Sequence, residues 1–208
     1  MREFSKSYLE ILNGELASLN LTRITSEEDF YIKQIVDSIY PVQNIKELAD
    51  IYDSCNTCFD IGFGGGFPLL PLAKIFPEKS FYGLEARRKK ADAVRLIAEK
   101  LNLQNVKTYH YRIENIVMDK PAVVSLKAVG KIKDFLSKVY STSEIYVVFY
   151  KGPRVDELED IPEHYLGYRK FFQSSYDLET TDGRTIIVYK GNNVPRGTQK
   201  DLVKASSL

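Results

Sequence analysis

The residues best placed to do chemistry form a glycine-rich stretch that follows a short apolar segment. Asp60 is followed by glycines at positions 62, 64, 65 and 66, and then by Phe67, Pro68 and an apolar run. This order predicts a strand, a tight turn and a helix start, because glycine tolerates positive φ and close ligand approach and proline suits the first helical position. Free N–H groups at the helix start would face a ligand lying above the turn. We therefore predict a nucleotide-type binding turn.

The spacing of these glycines argues against a dinucleotide cofactor. The dinucleotide fingerprint G-x-G-x-x-G fails in both frames, because phenylalanine or leucine stands where its third glycine belongs. An Asp-x-Gly-x-Gly-x-Gly pattern is present instead and resembles the first motif of Rossmann-like S-adenosylmethionine-dependent methyltransferases: Asp60, Gly62, Gly64 and Gly66. In this interpretation the glycines admit the amino-acid part of the cofactor, and Asp60 faces its amine. A glycine turn without a ligand is the alternative, which the entropic cost of clustered glycines disfavours.

Composition narrows the class of protein. The 208 residues suit one domain with at most a small appendage, and the net charge of +1 does not by itself indicate a nucleic-acid binder. No apolar stretch reaches membrane-spanning length, and no signal-peptide region is evident, so we expect a cytoplasmic protein. The pair Cys55-x-x-Cys58 lies at the start of the predicted strand rather than after it, and both cysteines are expected to be reduced. We expect no metal, because a structural zinc site needs four ligands.

The elements that must position the glycine turn follow from hydrophobic periodicity. Residues 1–50 predict a helical cap, with one helix over 4–19, a second that Ser26 caps and Pro41 ends, and a third near 45–49. Residues 51–191 predict alternating strands and helices. The predicted strands are 58–62, 80–85, 106–111, 122–127, 144–151, 168–174 and 184–190, and the helices are 68–76, 87–101 and 130–140.

This alternation predicts an α/β protein with a Rossmann-like, seven-stranded and mostly parallel sheet. The last two strands are separated by turn residues rather than a long helix, so we expect them to form an antiparallel hairpin. Residues 192–208 read as a polar, loosely held tail.

Strand ends supply further candidates, because ligands of open α/β sheets bind beyond the carboxyl ends of the strands. Glu85 ends the second strand about 20 residues after the glycine turn, where a ribose-binding acid is expected. A residue near Ile113 and Glu114 can flank an adenine ring, and Lys127 places a cation near the cofactor. A solvated acid at the helix start and a plain surface loop are the alternatives for Glu85 and for residues 113–114.

Basic residues gather just after strand ends, on the same rim as the predicted cofactor site. The candidates for contact with RNA phosphates are Arg88, Lys89, Lys151 and Arg154. Such contacts would position RNA without reading its sequence. Charge runs are more often solvated helix faces, and that alternative remains open for each of them.

Together these features resemble a known family, the bacterial 16S ribosomal RNA guanine-N7 methyltransferases called RsmG or GidB. The resemblance runs from about residue 20 to 191 and is carried by an ordered set of segments: Asn20-Leu21-Thr22, Asp37-Ser38-Ile39, residues 60–68, Pro71-Leu72-Ala73, Arg112-Ile113-Glu114, Lys151-Gly152 and Asp182-Gly183-Arg184. The chain departs from the family pattern at Lys33-Gln34, where Arg-His is usual. It departs again at Leu126-Lys127-Ala128, where Ser-Arg-Ala is usual and where lysine lacks the arginine fork.

The resemblance implies methyl transfer from S-adenosylmethionine to N7 of one guanosine in 16S rRNA, in a loop near the decoding centre. Its partner would be 16S rRNA or the small ribosomal subunit, and loss of the gene would give mild streptomycin resistance. By the same resemblance, the residues that contact the cofactor are Gly62, Phe67, Ile113, Glu114 and Lys127, with Glu85 as the ribose-side acid.

The absence of an obvious general base agrees with this reaction, because guanine N7 carries a lone pair and no proton. Catalysis would then come mainly from holding N7 in line with the methyl group. We assign no catalytic residue and expect a monomer. The alternatives are a methyltransferase acting on another RNA or on a small molecule, and a non-enzymatic RNA-binding protein that retains a relic cofactor fold.

Overall fold

The computed structural model describes residues 1–179, 181–194 and 202–208. Its strands are β1 (Thr57–Ile61), β2 (Ser80–Leu84), β3 (Val106–Tyr109), β4 (Ile116–Met118), β5 (Val123–Lys127), β6 (Tyr140–Ser141), β7 (Ile145–Lys151), β8 (His164–Tyr165), β9 (Tyr168–Leu178), β10 (Thr181–Gly191) and β11 (Val203–Lys204). Its α-helices are α1 (Arg2–Asn13), α2 (Glu27–Phe30), α3 (Asp37–Asn44), α4 (Lys46–Ser54), α5 (Leu69–Ile75), α6 (Arg88–Lys100), α7 (Ile132–Leu136) and α8 (Val155–Leu158). A wider π-helical turn, Tyr31–Val36, joins α2 to α3.

The main sheet has the order β3-β2-β1-β5-β7-β10-β9-β8 within the described residues. The first five strands in this order run parallel: β3, β2, β1, β5 and β7. Strand β10 pairs antiparallel with both β7 and β9. The α/β class, the mostly parallel sheet and the terminal hairpin are thereby confirmed. The predicted seven strands become eight, because the two residues of β8 pair with the start of β9. A separate small sheet, β11-β4-β6, was not predicted, because strands this short carry little periodicity.

The strands at the centre of the sheet are mostly apolar and largely buried, as expected where helices cover both faces. In β5 the first four residues are buried, and all but two residues of β7 are buried. One apolar cluster joins α1, α3 and α4 to one face of the sheet, and a second fills the opposite face. The division into a cap over 1–50 and a domain over 51–191 stays a prediction. In the described part of the chain, no helix has the length and apolarity needed to span a membrane.

Two local predictions for the cap had different outcomes. The Ser26 side chain accepts a hydrogen bond from the Asp29 N–H at 3.3 Å, as a helix cap should. Pro41, in contrast, lies inside α3 and does not end it. Pro41 and Val42 are buried among core residues, so tertiary packing outweighs the hydrogen bond that a proline removes from a helix.

The chain terminus also differs from the prediction of a loosely held tail over 192–208. Residues 202–208 pack onto the domain, with β11 paired to β4 and the Ser206 N–H donating to Asp119 at 2.9 Å. Residues 195–201 of the predicted tail lie outside the described residues.

Candidate functional site

A cleft lies beyond the carboxyl ends of β1, β2 and β5, and the described residues divide it into adjoining cavities. The central cavity, about 610 Å³, lies between the glycine turn and the Leu21–Ile24 segment of the cap. The side cavity, about 170 Å³, extends from it toward Ile113, and Gly62 and Glu85 line both. The cap cavity, about 550 Å³, lies on the other side. Gln34, Lys127 and Ala128 line both the cap cavity and the central cavity.

The glycine turn has the backbone conformation that its sequence predicts. Gly62, Gly64 and Gly66 have φ values of +68°, +57° and +96°, in the left-handed region that glycine adopts without strain. Gly62 and Gly64 line the central cavity, so a ligand there meets bare backbone. These two positions therefore fit the predicted cofactor contact.

Gly66 and Phe67 are held by the first helix of the cap. A Cβ on Gly66 would clash with the Tyr8 hydroxyl, and that hydroxyl donates a hydrogen bond to the Gly65 carbonyl. The Phe67 ring stacks on Tyr8 with ring centroids 5.1 Å apart, and it also lines the central cavity. Gly66 does not line the cavity, so its conformation serves packing under the turn rather than the predicted cofactor contact.

Asp60 was predicted to face the cofactor, but it lines none of the three cavities. Its side chain is buried, and one carboxylate oxygen accepts the N–H of Leu69, at the start of α5, at 2.8 Å. Its other oxygen has no partner in the described residues. Burial raises the pKa of Asp60 to about 7, against the opposing effect of the Leu69 hydrogen bond. Asp60 therefore secures the start of α5 behind the glycine turn, and its contact with the cofactor amine stays a prediction.

Glu85 lies at the boundary between the central and side cavities. Its two carboxylate oxygens accept the N–H of Arg87 at 2.9 Å and the N–H of Gly64 at 3.3 Å. Only 7% of the residue is exposed, which argues against the alternative of a solvated acid. A carboxylate fixed in this way retains free lone pairs for ribose hydroxyls.

The side cavity suits a flat apolar ring. Ile61, Leu84, Ile113 and Phe135 line it, and Ile113 is buried in a short 3-10 turn after β3. Glu114 also lines it, at the position predicted from the strand end. The side cavity therefore has apolar walls next to Glu85, on the side where the adenine ring is predicted.

A buried charge cluster lines the cap cavity, and one of its members, Lys127, also lines the central cavity. Asp37 of α3 accepts from Lys127 of β5 at 2.7 Å and from Arg184 of β10 at 3.0 Å, and the Asp37 side chain is 4% exposed. Lys127 also donates to the Ser38 hydroxyl at 3.3 Å. Burial lowers the pKa of Lys127, while Asp37 opposes that effect. Lys127 therefore lines the cleft as predicted, but its ammonium is engaged mainly by Asp37.

The predicted RNA-contacting residues fall into two groups. Arg88, Lys89 and Arg154 are exposed. In the sequence, Arg88 and Lys89 stand between Arg87 and Lys90, which line the central cavity, and Arg154 follows Gly152 of the cap cavity by two positions. Lys151 is different, because its ammonium contacts Glu159 and the Gly130 carbonyl, each at 2.7 Å, with its side chain 8% exposed. These contacts argue against the predicted phosphate contact of Lys151, since its charge is already paired inside the protein.

Metal and thiol chemistry find no support in the described part of the chain. No three metal-ligating side chains come together there. Cys55 and Cys58 are both buried and free, and burial raises the pKa of the Cys58 thiol well above its ordinary value.

Comparison with known proteins decides the family. The family model for rRNA small subunit methyltransferase G, called GidB, matches residues 2–190. This chain belongs to that family. Among named members of the GidB family, Ribosomal RNA small subunit methyltransferase G of Flavobacterium psychrophilum is 33% identical over 156 residues, or 71% of this chain and 72% of that protein. The protein of the same name from Streptococcus gordonii is 37% identical over 113 residues, so the chain matches 46% of its length.

A solved structure of low sequence identity supports the same fold. This structure, described as "Conversion of a Disulfide Bond into a Thioacetal Group during Echinomycin Biosynthesis", has a TM-score of 0.50 at 10% identity. The similarity covers 69% of this chain and 80% of that one. At this identity the similarity supports the fold alone.

Sequence reasoning missed residues of the cleft that come from distant segments. Asp37 and Arg184 are separated by 147 positions, and neither carries a spacing signal of its own. Both belong to segments that carry the family resemblance, so that resemblance was the signal that could have identified them. Gln34 and Arg23 also line the central cavity, and Gln34 is one of the departures from the family pattern.

Proposed function

We propose that this protein transfers the methyl group of S-adenosylmethionine to N7 of one guanosine in 16S ribosomal RNA. The observation that carries the proposal is the linear order of the cleft. The side cavity suits adenine, Glu85 lies where the ribose would be, and the glycine turn offers backbone to the amino-acid part of the cofactor. Membership of the GidB family supports the nucleic-acid substrate.

The cofactor, when bound, supplies an electrophilic methyl group on a sulfonium centre. The chain's own residues hold and orient the reactants. Glu85, held by two backbone N–H groups, offers acceptors to the ribose, and Gly62 and Gly64 keep side chains out of the path of the cofactor. Guanine N7 has no proton to lose, so the reaction needs no general base. The rate enhancement comes mainly from alignment.

Exposed cations beside the cleft support an RNA substrate. Arg23 and Lys90 line the central cavity, and Arg88, Lys89 and Arg154 are exposed and close in sequence to residues that line the central or the cap cavity. We propose that they contact phosphates and so set the orientation of the RNA. A cytoplasmic location, a monomeric state and the absence of a metal stay predictions.

Two measurements test the proposal. Isothermal titration should show binding of S-adenosylmethionine or its demethylated product and none of NAD. Borohydride–aniline cleavage of 16S rRNA, which reveals N7-methylguanosine, should show one site that is lost when the gene is deleted and restored by the intact gene. An unchanged cleavage pattern would refute the rRNA assignment, and methylation of a different RNA or of a small molecule would support one of the alternatives.

A further inference from the structure

The cap cavity adjoins the central cavity, where the cofactor is proposed to bind. We propose that this cavity receives the target guanine and that Asp182, at its rim, recognises the Watson–Crick edge of the base. The inference rests on the proposed function and adds to it the place of the acceptor base and the residue that selects guanine.

The position of the cap cavity suits an acceptor base. Gln34, Lys127 and Ala128 line both this cavity and the central one, so a group held in the cap cavity lies next to the end of the cofactor beyond its ribose. Its volume of about 550 Å³ lies within the usual range of small-ligand sites, roughly 300–1,000 Å³. A base can reach such a cavity only after leaving its stack, as enzymes that modify bases require.

Most charges around the cap cavity are already paired inside the protein. Asp37 is shared between Lys127 and Arg184, and Lys151 is paired with Glu159. Asp182 differs, because its carboxylate has neither a hydrogen bond nor an ion pair in the described residues. An unpaired carboxylate on a ligand-sized cavity is free to accept hydrogen bonds from a substrate.

The backbone that carries Asp182 is held in place. Nη1 of Arg184 donates to the Asp182 carbonyl at 2.7 Å and to the Gly183 carbonyl at 3.3 Å, while Nε of the same side chain contacts Asp37. The charge cluster therefore fixes the segment of β10 that presents Asp182. Arg184 lines the cap cavity, and within the described contacts its Nη2 makes no hydrogen bond, so this nitrogen remains available as a donor.

This arrangement is complementary to guanine. The Watson–Crick edge of guanine presents two adjacent donors, N1–H and the 2-amino group, next to the O6 acceptor. A carboxylate accepts from both donors and a guanidinium donates to O6. Adenine has an acceptor at N1, which would face the carboxylate unfavourably. Holding guanine by this edge leaves N7, on the other side of O6, free to face the boundary with the central cavity.

The test compares RNA substrates that differ by one amino group. Two forms of 16S rRNA are assembled by ligating RNA fragments, one form with guanosine and the other with inosine at the target position. Each form is supplied to the protein both as free RNA and in reconstituted small subunits. Inosine lacks the 2-amino group. The wild-type protein should methylate the inosine RNA with kcat/KM roughly tenfold or more below that for guanosine, the size of one hydrogen bond to a charged group. Asp182→Ala should methylate both RNAs at similar, reduced kcat/KM, so that the ratio approaches one.

A matched control lies on the same hairpin. Glu179 is exposed and does not line the cap cavity, so Glu179→Ala should keep the wild-type guanosine-to-inosine ratio. Asp182→Asn retains one acceptor and should give an intermediate ratio, which keeps the test valid if the alanine variant folds poorly. Titration with S-adenosylmethionine should give the same Kd for all the variants.

The outcomes separate the two proposals. If wild-type protein methylates guanosine at N7 but Asp182→Ala and Asp182→Asn keep its preference over inosine, the inference about Asp182 is overturned while the proposed function stands. If wild-type protein methylates neither RNA in either form, the proposed function fails and the inference falls with it.

Discussion

Asp37 ties the cap to the cleft through two ion pairs, so replacing it should cost a measurable part of the folding free energy. Asp37→Asn keeps the shape of the side chain but leaves Lys127 and Arg184 without their shared carboxylate. The Lys127 side chain is 12% exposed and that of Arg184 is 26% exposed. Breaking a buried pair by removing one partner costs about 3–5 kcal/mol. We expect a value near the lower end, about 3 kcal/mol, because Arg184 keeps access to water and its hydrogen bonds to backbone carbonyls.

Urea unfolding followed by circular dichroism measures this cost, and the chain offers a matched control. Asp50 pairs with Lys46 at 2.6 Å, but both side chains are mostly exposed, so Asp50→Asn should cost less than about 1 kcal/mol. If unpaired cations cause the loss, adding Lys127→Met to Asp37→Asn should recover part of it, because one of the two unpaired charges is removed. The reasoning is refuted if Asp37→Asn costs no more than Asp50→Asn, or if the second substitution only adds to the loss.

Three further predictions follow from the described contacts. Glu85→Ala should weaken S-adenosylmethionine binding by roughly 1–3 kcal/mol, because ribose hydroxyls lose their acceptor; an unchanged Kd in isothermal titration would contradict this. The double variant Arg88→Ala, Arg154→Ala should lower the salt dependence of RNA binding by up to about two ion equivalents. Lys151→Met should instead destabilise the fold, because the largely buried Glu159 loses its partner, and should leave the salt dependence unchanged. Filter binding over a salt series and urea unfolding distinguish the two effects. Burial raises the pKa of Asp60 from 3.8 to about 7. Protonated Asp60 therefore makes its full contribution to the free energy of unfolding below about pH 4, and this contribution is lost as the pH rises through about 7. Relative to Asp60→Asn, the wild-type free energy of unfolding should therefore fall by up to about 1.4 kcal/mol per pH unit over that window, and a constant difference between the two proteins from pH 4 to 8 would contradict the assignment.

The sequence by itself determined the features that depend on local chain properties. Apolar runs alternating with amphipathic helices specify a parallel sheet covered on both faces, because each element must bury its apolar side. The glycine turn was also readable, since Gly62 and Gly64 occupy positive φ that other residues rarely adopt. The distance from this turn to Glu85 reflects one strand–helix–strand unit, so the place of Glu85 beside the turn followed from chain order alone.

Only the tertiary structure decided which charged groups are free to act. The sequence shows Lys151 as a cation at a strand end, but α8 and the segment after it bring Glu159 to its ammonium. In the same way, the sequence shows Asp60 only as an acid before a glycine turn. In the structure its carboxylate is buried and accepts a hydrogen bond from the Leu69 N–H at the start of α5. The partner of a charge is set by which distant segments the fold brings within a few ångströms, as with Asp37 and Arg184, 147 positions apart. Residue type and spacing do not contain that information, because burial and pairing arise only when the elements pack together.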